Sequence, residues 1–164
     1  MNVFNQFSYV LISSAVLIAS LIVLRRYNVD RRLMSAVGIA IVVLSVSAAL
    51  ILRPGLSDVD SLQMAQATFR NGKPTLLEFF SNYCAGCLAV RPAVDLLAAE
   101  FEEDINIVRI DIHTDFGREI RQEFGFSYTP EFILLDHNGQ EIWREHVLPT
   151  REQVIAIALN AAAP

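Results

Sequence analysis

Residues 75–92 read TLLEFFSNYCAGCLAVRP and hold both cysteines of the chain, Cys84 and Cys87. TLLEFF (75–80) carries one charge, Glu78, and is otherwise apolar on both faces, the pattern of a strand at the centre of a parallel sheet. The cysteines follow at once and open a helix predicted to run to about Phe101. A thiol at such a junction meets the free amide groups and the positive dipole end of the helix, which stabilise a thiolate. The C-x-x-C spacing sets both sulfurs on one helix face, within bonding reach of each other. Cys84, at the exposed end, is the expected attacking thiol. Cys87, one turn in, is the expected resolving thiol. Ala85 and Gly86 between them keep the approach to the sulfurs small.

Outward from this stretch, the pattern is that of an α/β domain. VDSLQMAQATFR (59–70) reads as a helix stopped by Asn71-Gly72. NIVRIDI (106–112) alternates like a strand, and 115–123 is a short polar helix. EFILLD (131–136) and QEIWREH (140–146) are two strands joined by a turn at His137-Asn138-Gly139, a strong hairpin signal. The last helix starts at Thr150, with Thr150 and Gln153 placed as a capping box. The predicted order is α-β-α-β-α-β-β-α, with helices on both faces of the sheet. A small alanine-rich tail, 161–163, follows.

The N-terminal part is different. FSYVLISSAVLIASLIVL (7–24) and LMSAVGIAIVVLSVSAALIL (33–52) contain no charge. Each has the length needed to cross the roughly 30 Å hydrocarbon core of a bilayer as a helix. A pair of buried core helices is one competing reading, and a cleaved signal peptide is another for the first stretch. No Lys or Arg precedes Arg25 and a second span follows immediately, which favours a permanent hairpin. Arg25, Arg26, Arg31 and Arg32 lie in the connecting loop, so the positive-inside rule puts the loop in the cytoplasm and both termini on the opposite side. Neither span contains a cysteine, so electrons cannot pass through the hairpin by thiol exchange. Ala36 with Ala40 and Ser45 with Ala49 are small residues at helix-packing spacing. Arg53-Pro54-Gly55 ends the second span.

Charge separates the two parts as well. Residues 1–57 carry five Arg and one Asp, and residues 58–164 carry eight basic against seventeen acidic side chains, +4 and −9. An acidic outer domain argues against nucleic acid and anionic lipid as partners.

The cysteine pair alone leaves alternatives open: a structural disulfide, half of a zinc site, or inert core thiols. A disulfide here would close a very small loop and contribute little loop entropy. A zinc site needs further ligands, and His113, His137 and His146 with no second C-x-x-C make a poor set. DIHTD (111–115) is an ordinary strand-to-helix loop rather than a metal cluster, and no cofactor is expected. Glu78 is either a buried carboxyl with a raised pKa, usable as a proton acceptor, or a sheet-edge acid reaching water. Pro92 inside a helix removes one backbone hydrogen bond and kinks it. Tyr83 either lines the surface beside the sulfurs or is ordinary surface. Trp143 belongs to packing rather than to the site.

KPTLLEFFSNYCAGCLAVRP (73–92) and FGFSYTPEFILLDHNGQEI (124–142) resemble the thioredoxin superfamily. They look most like the membrane-anchored thioredoxin-like proteins of the bacterial periplasm and thylakoid lumen. The resemblance implies a thioredoxin-like fold, a central mixed β-sheet flanked by helices, over residues 59–164, joined by a linker at 54–58 to a transmembrane hairpin at 1–53 with spans at about 7–24 and 33–52. It implies Cys84 and Cys87 as the catalytic redox pair, Glu78 as the buried acid behind them, and Pro92 as the helix-kinking proline. It also makes Thr129-Pro130 a cis-proline loop whose backbone pairs with an extended substrate, beside Tyr83. Tyr83 stands where Trp is usual, and Ala-Gly replaces Gly-Pro between the cysteines. The implied activity is thiol-disulfide exchange with protein substrates, as a reductant on the non-cytoplasmic side that serves cytochrome c maturation and is recharged by a thiol-bearing membrane donor. An oxidase of the same fold, or a membrane-bound adaptor or metal carrier, are the alternatives.

Overall fold

The computed structural model describes residues 3–53, 55–101 and 104–161. Pro54 and the alanines at 162–163 lie outside the described residues. Eleven elements follow in order among those described: α1 Val3–Gln6, α2 Ser8–Arg26, α3 Arg31–Leu52, α4 Leu62–Phe69, β1 Thr75–Phe80, α5 Ala85–Glu100, β2 Asn106–Asp111, α6 Asp115–Glu123, β3 Glu131–Leu135, β4 Glu141–Glu145 and α7 Arg151–Ala161.

The apolar character of TLLEFF decides where the sheet is centred. All six residues of β1 are buried, because β1 is an inner strand in the order β2-β1-β3-β4. It runs parallel to β2 and antiparallel to β3. The sheet is therefore mixed, as the family resemblance implies; burial on both faces, not a parallel arrangement, produces the continuous apolar run of β1. Alternate residues feed two cores. Leu77 and Phe79 join Phe69 of α4 and Ile120 of α6 on one face. Leu76, Phe132 and Leu134 join Val94 and Leu97 of α5 and Val154 of α7 on the other. Trp143 packs at the margin of this second core. Each large apolar side chain buried here contributes about 1.5–3 kcal/mol, so these layers hold the cysteine-bearing helix against the sheet.

Local signals set the element ends. The Ser61 hydroxyl accepts the Met64 N–H and starts α4 three residues later than the apolar pattern predicts. Thr150 and Gln153 cap each other reciprocally at the start of α7. The β3–β4 turn is held by Asp136, whose carboxylate accepts the N–H groups of Asn138 and Gln140, and by Gly139 at φ +80°. Helix α5 runs without a break through Pro92.

Helices α2 and α3 are each long and apolar enough to cross a membrane, and neither span is buried inside the chain. That exposure overturns the core-helix reading. They pack on each other, with the Tyr9 hydroxyl donating to the Ser45 carbonyl. Ser45 and Ala49 are half-buried, while Ala36 and Ala40 are exposed. Asn28 at φ +52° makes the turn, and Asp30 caps α3 through the Arg32 N–H.

The segment between hairpin and domain is pinned. Asn82 bonds both the N–H and the carbonyl of Gly55. The Ser57 hydroxyl accepts the Asp111 N–H. The Asp58 carboxylate takes the Arg109 guanidinium at 3.1 Å. Arg91 of α5 reaches the carbonyls of Ile51 and Arg53 at the C-terminus of α3, where a cation complements the helix dipole.

Candidate functional site

Cys84 is the N-cap of α5: its sulfur accepts the Cys87 N–H at 3.4 Å. Its thiol faces the Thr129 carbonyl at 3.6 Å, and the Thr129–Pro130 peptide bond is cis. The strand-to-helix junction and the proline loop thus meet at this sulfur. Gly86 sits against the same loop. A Cβ there would lie 3.3 Å from Pro130 Cδ, which accounts for a glycine inside the C-x-x-C.

The two thiols are driven apart in acidity. Cys84 is lowered to about 6, first by a hydrogen bond from the Cys87 thiol, against burial, then by Thr129 and the backbone N–H groups of Cys87 and Gly86. Cys87 is pushed up, chiefly by burial and then by the Cys84 sulfur. Both cysteines are free thiols. At neutral pH the arrangement holds one thiolate and one thiol, a nucleophile with a protonated partner one turn away.

Glu78 lies beneath them. It shares the β1 face of Leu76 and Phe80, and Phe80 packs with both cysteines. It is buried on an inner strand, not at a sheet edge. Burial raises it to about 8, with Arg109 on the neighbouring strand pulling the other way. Among the described residues its Oε1 has no hydrogen-bond partner. A buried carboxyl titrating near neutrality is chemically suited to exchange a proton with a buried thiol.

The structure differs from the sequence reading in one respect at the sulfur. The spacing predicts Cys84 at an exposed end, yet it is 1% exposed. Residues 5–9, from the end of α1 into the first turn of α2, bond to the residues that surround it. The Asn5 Oδ1 accepts the Thr129 N–H at 3.0 Å and the Thr129 hydroxyl at 2.9 Å. The Ser8 hydroxyl accepts the Ala85 N–H. Tyr83, about half exposed, stacks on Phe7 at 5.6 Å, and His113 closes the aromatic group at 5.3 Å from Phe7. Tyr83 is thus at the rim of the site rather than isolated surface. Pro92 is a helix-interior residue of α5, a turn and a half beyond Cys87, and takes no direct part in these contacts.

Sequence reading passes over a second group, behind the proline loop. His146 Nδ1 lies 2.9 Å from the Pro130 carbonyl; a carbonyl only accepts, so this nitrogen carries a proton. Glu131, next to Pro130, is buried and pairs with Arg144 at 3.2 Å. Ser127 bonds Glu131 at 2.9 Å and lies 3.1 Å from His146. Tyr128 stacks on the His146 ring at 3.6 Å. A lone acid in the apolar run EFILL is the available signal, the same one that marks Glu78. Among the described residues, no group of three or more His, Cys, Asp or Glu side chains could hold a metal ion.

Comparison with known proteins agrees with this geometry. The family model for Thioredoxin matches residues 61–158. The chain is 28% identical over 115 residues to the thioredoxin-like protein HCF164, chloroplastic, of Arabidopsis thaliana, covering 70% of this chain and 44% of that one. It is 32% identical over 79 residues to the thioredoxin of Porphyra purpurea, covering 48% and 72%. The chain therefore spans less than half the length of the Arabidopsis relative. Among solved structures, a mutant thioredoxin from Halobacterium salinarum NRC-1 matches with TM-score 0.51 at 18% identity, covering 62% of this chain and 86% of that one, which supports the fold. With the family model spanning more than half of its residues, and a cis-proline loop facing a C-x-x-C at the start of a helix, this chain belongs to the thioredoxin family.

Proposed function

We propose that this protein is a membrane-tethered thiol-disulfide oxidoreductase that reduces protein disulfides on the non-cytoplasmic side of a membrane. The observation that carries the reading is the Cys84 thiol, lowered to about 6, at the N-terminus of α5 beside Thr129-Pro130. The reducing direction rests on the similarity to thioredoxins.

The Cys84 thiolate attacks one sulfur of a substrate disulfide. A Cys84–substrate disulfide forms, and the other substrate sulfur leaves as a thiolate. Cys87 gives up its proton to the ionised form of Glu78, the minority form below pH 8, and attacks the Cys84 sulfur. The second substrate thiolate leaves, and the pair becomes a Cys84–Cys87 disulfide. The substrate gains two electrons, and its thiolates take up two protons from Glu78 and solvent. The backbone of Thr129 pairs with the extended substrate and Tyr83 borders it. Regeneration needs a dithiol donor, a membrane protein with its own cysteines, because the hairpin has none. Disulfide-bonded cytochrome c precursors are the candidate substrate, on the family resemblance.

The test is the redox equilibrium of Cys84–Cys87 in the full chain, in detergent, against dithiothreitol and glutathione buffers. A potential near the about −270 mV of thioredoxin is expected. A value near about −120 mV would make the protein a disulfide donor. A pair that never forms a disulfide would leave a non-catalytic adaptor.

A further inference from the structure

The contacts of residues 5–9 are those a substrate would need. An extended polypeptide docking beside a cis-proline loop takes the backbone N–H of the preceding residue, as in strand addition. Here the Asn5 side-chain carbonyl holds the Thr129 N–H. The first amide of α5, at Ala85, is held by the Ser8 hydroxyl. The Tyr83 carbonyl accepts the Tyr9 N–H at 3.1 Å, and the Ser81 hydroxyl donates to the Gln6 carbonyl at 3.0 Å. Phe7 packs against both the Tyr83 and His113 rings, which also meet each other at 5.7 Å. The result is a nucleophile that cannot be reached: attack on a disulfide requires the incoming sulfur to approach Cys84, and Cys84 is 1% exposed.

We propose that Asn5–Tyr9 occupy the substrate-docking surface as a competitor in cis, so that Cys84 reacts only with a partner polypeptide that displaces them. This rests on the reading of Cys84 as the attacking thiol. The cover is built to be exchanged. It is made of a few hydrogen bonds and the contacts of one aromatic ring, Phe7, and it buries the Gln6 amide, whose Nε2 has no partner among the described residues. A displacing segment can satisfy the same groups without that loss.

The occupant also indicates the partner. Tyr9 lies in the first turn of α2, a membrane-span candidate, so the competitor is tethered at the membrane surface and its effective concentration is that of an intramolecular ligand. A dilute soluble protein competes poorly against such a ligand. A protein that is itself held in the membrane competes on equal terms. The partner is thus a membrane-held protein presenting an extended segment, with an aromatic residue to pack on the Tyr83–His113 pair and a carbonyl for Thr129.

The experiment measures iodoacetamide alkylation of Cys84 in the reduced full chain in detergent, by mass spectrometry, across pH. The limiting rate at high pH reads access, and the midpoint reads acidity. Replacing Asn5→Ala, Phe7→Ala and Ser8→Ala together is expected to raise the limiting rate about tenfold or more, since several hydrogen bonds each favour the closed form by a factor of several. An unchanged limiting rate overturns the proposal. A second measurement is independent of thiol chemistry at the site. In a Cys84→Ser, Cys87→Ser background, Phe7→Cys with His113→Cys is expected to be joined by a short bifunctional maleimide. Failure to cross-link also overturns the proposal. Loss of the redox couple with normal cross-linking would instead sink the oxidoreductase reading and leave the covered surface standing.

Discussion

Burial holds the Glu78 carboxyl at about 8, against an ordinary 4.5. The displacement has a sign that can be measured. Below pH 4.5 the folded and unfolded chains both keep this proton and burial carries no ionic cost. Between 4.5 and 8 the unfolded chain releases the proton while the folded chain retains it, so stability falls as pH rises and levels off above 8. At about 1.4 kcal/mol for each pH unit separating the folded and unfolded values, the loss is several kcal/mol. Glu78→Gln keeps the shape and removes the titration. The thermal midpoint of the variant, followed by the fluorescence of Trp143, is expected to stay level from pH 5 to 8 where the native chain declines. A purely structural role predicts nothing further, whereas a proton acceptor for Cys87 predicts accumulation of the Cys84 mixed disulfide in the variant. A parallel decline in both proteins would show that Glu78 is not the titrating group. This residue could be picked out in sequence because one charge interrupts an apolar strand. Glu131 follows the same rule in EFILL, and its partners Arg144 and His146 come from the next strand, where side-chain direction is not encoded by spacing alone.

At the level of elements, the β2–α6 junction is the tightest point in the domain. Thr114 caps α6 through the Gly117 N–H at 2.9 Å, and the chain reverses so sharply that a Cβ on Gly117 would lie 1.9 Å from the Asp111 carbonyl oxygen. Backbone cannot yield as a flexible side chain does. Gly117→Ala is therefore expected to cost at least about 1–3 kcal/mol, the range for overpacking. In a domain of this size that lowers the thermal midpoint by about 4–8 °C for each kcal/mol. A midpoint within a degree of the native one would mean that the junction relaxes freely. The polar helix 115–123 was readable in sequence, but its closeness to β2 was not, because Gly117 there looks like any helix glycine. Strands 75–80, 106–111, 131–135 and 141–145 were readable because period-two patterning, a continuous apolar run and an Asn-Gly turn each have a local cause. The direction of β1 relative to its neighbours was not readable from its own residues and came only with the family resemblance, since a strand buried on both faces looks alike in either arrangement. The cover over Cys84 was hidden for a related reason. Asn5 and Gln6 precede the predicted span 7–24 and Ser8 lies inside it, and only the fold brings Thr129 and Ala85 to Asn5 and Ser8.

For the whole molecule, the question is which way the hairpin sits. Charge supplies the argument: four arginines lie within eight residues of the α2–α3 turn, while no basic residue precedes Arg25 in this sequence and Arg53 alone follows α3 closely. Moving those four guanidinium groups across the bilayer is strongly disfavoured, and the positive-inside rule predicts this loop on the cytoplasmic side. The domain cannot adopt an independent orientation. Residues 55–58 are bonded to β2 and the active-site loop, Arg91 caps the end of α3, and residues 5–9 lie on the site. The C-x-x-C is thereby held at the end of the hairpin opposite Tyr27, the end that the proposed topology puts on the non-cytoplasmic side. Tyr27 and Val147 are 77% and 75% exposed and report the two sides. In a Cys84→Ser, Cys87→Ser background, Val147→Cys is expected to react with a membrane-impermeant maleimide added outside sealed, right-side-out vesicles. Tyr27→Cys is expected to react only after the vesicles are opened. The reverse pattern would put the redox pair in the cytoplasm, where a reducing thiol pool makes a dedicated membrane donor unnecessary. Labelling of both from outside would mean that the two helices do not cross as a hairpin, and that the cover over Cys84 holds the domain to the surface of the bilayer rather than to the end of a transmembrane pair.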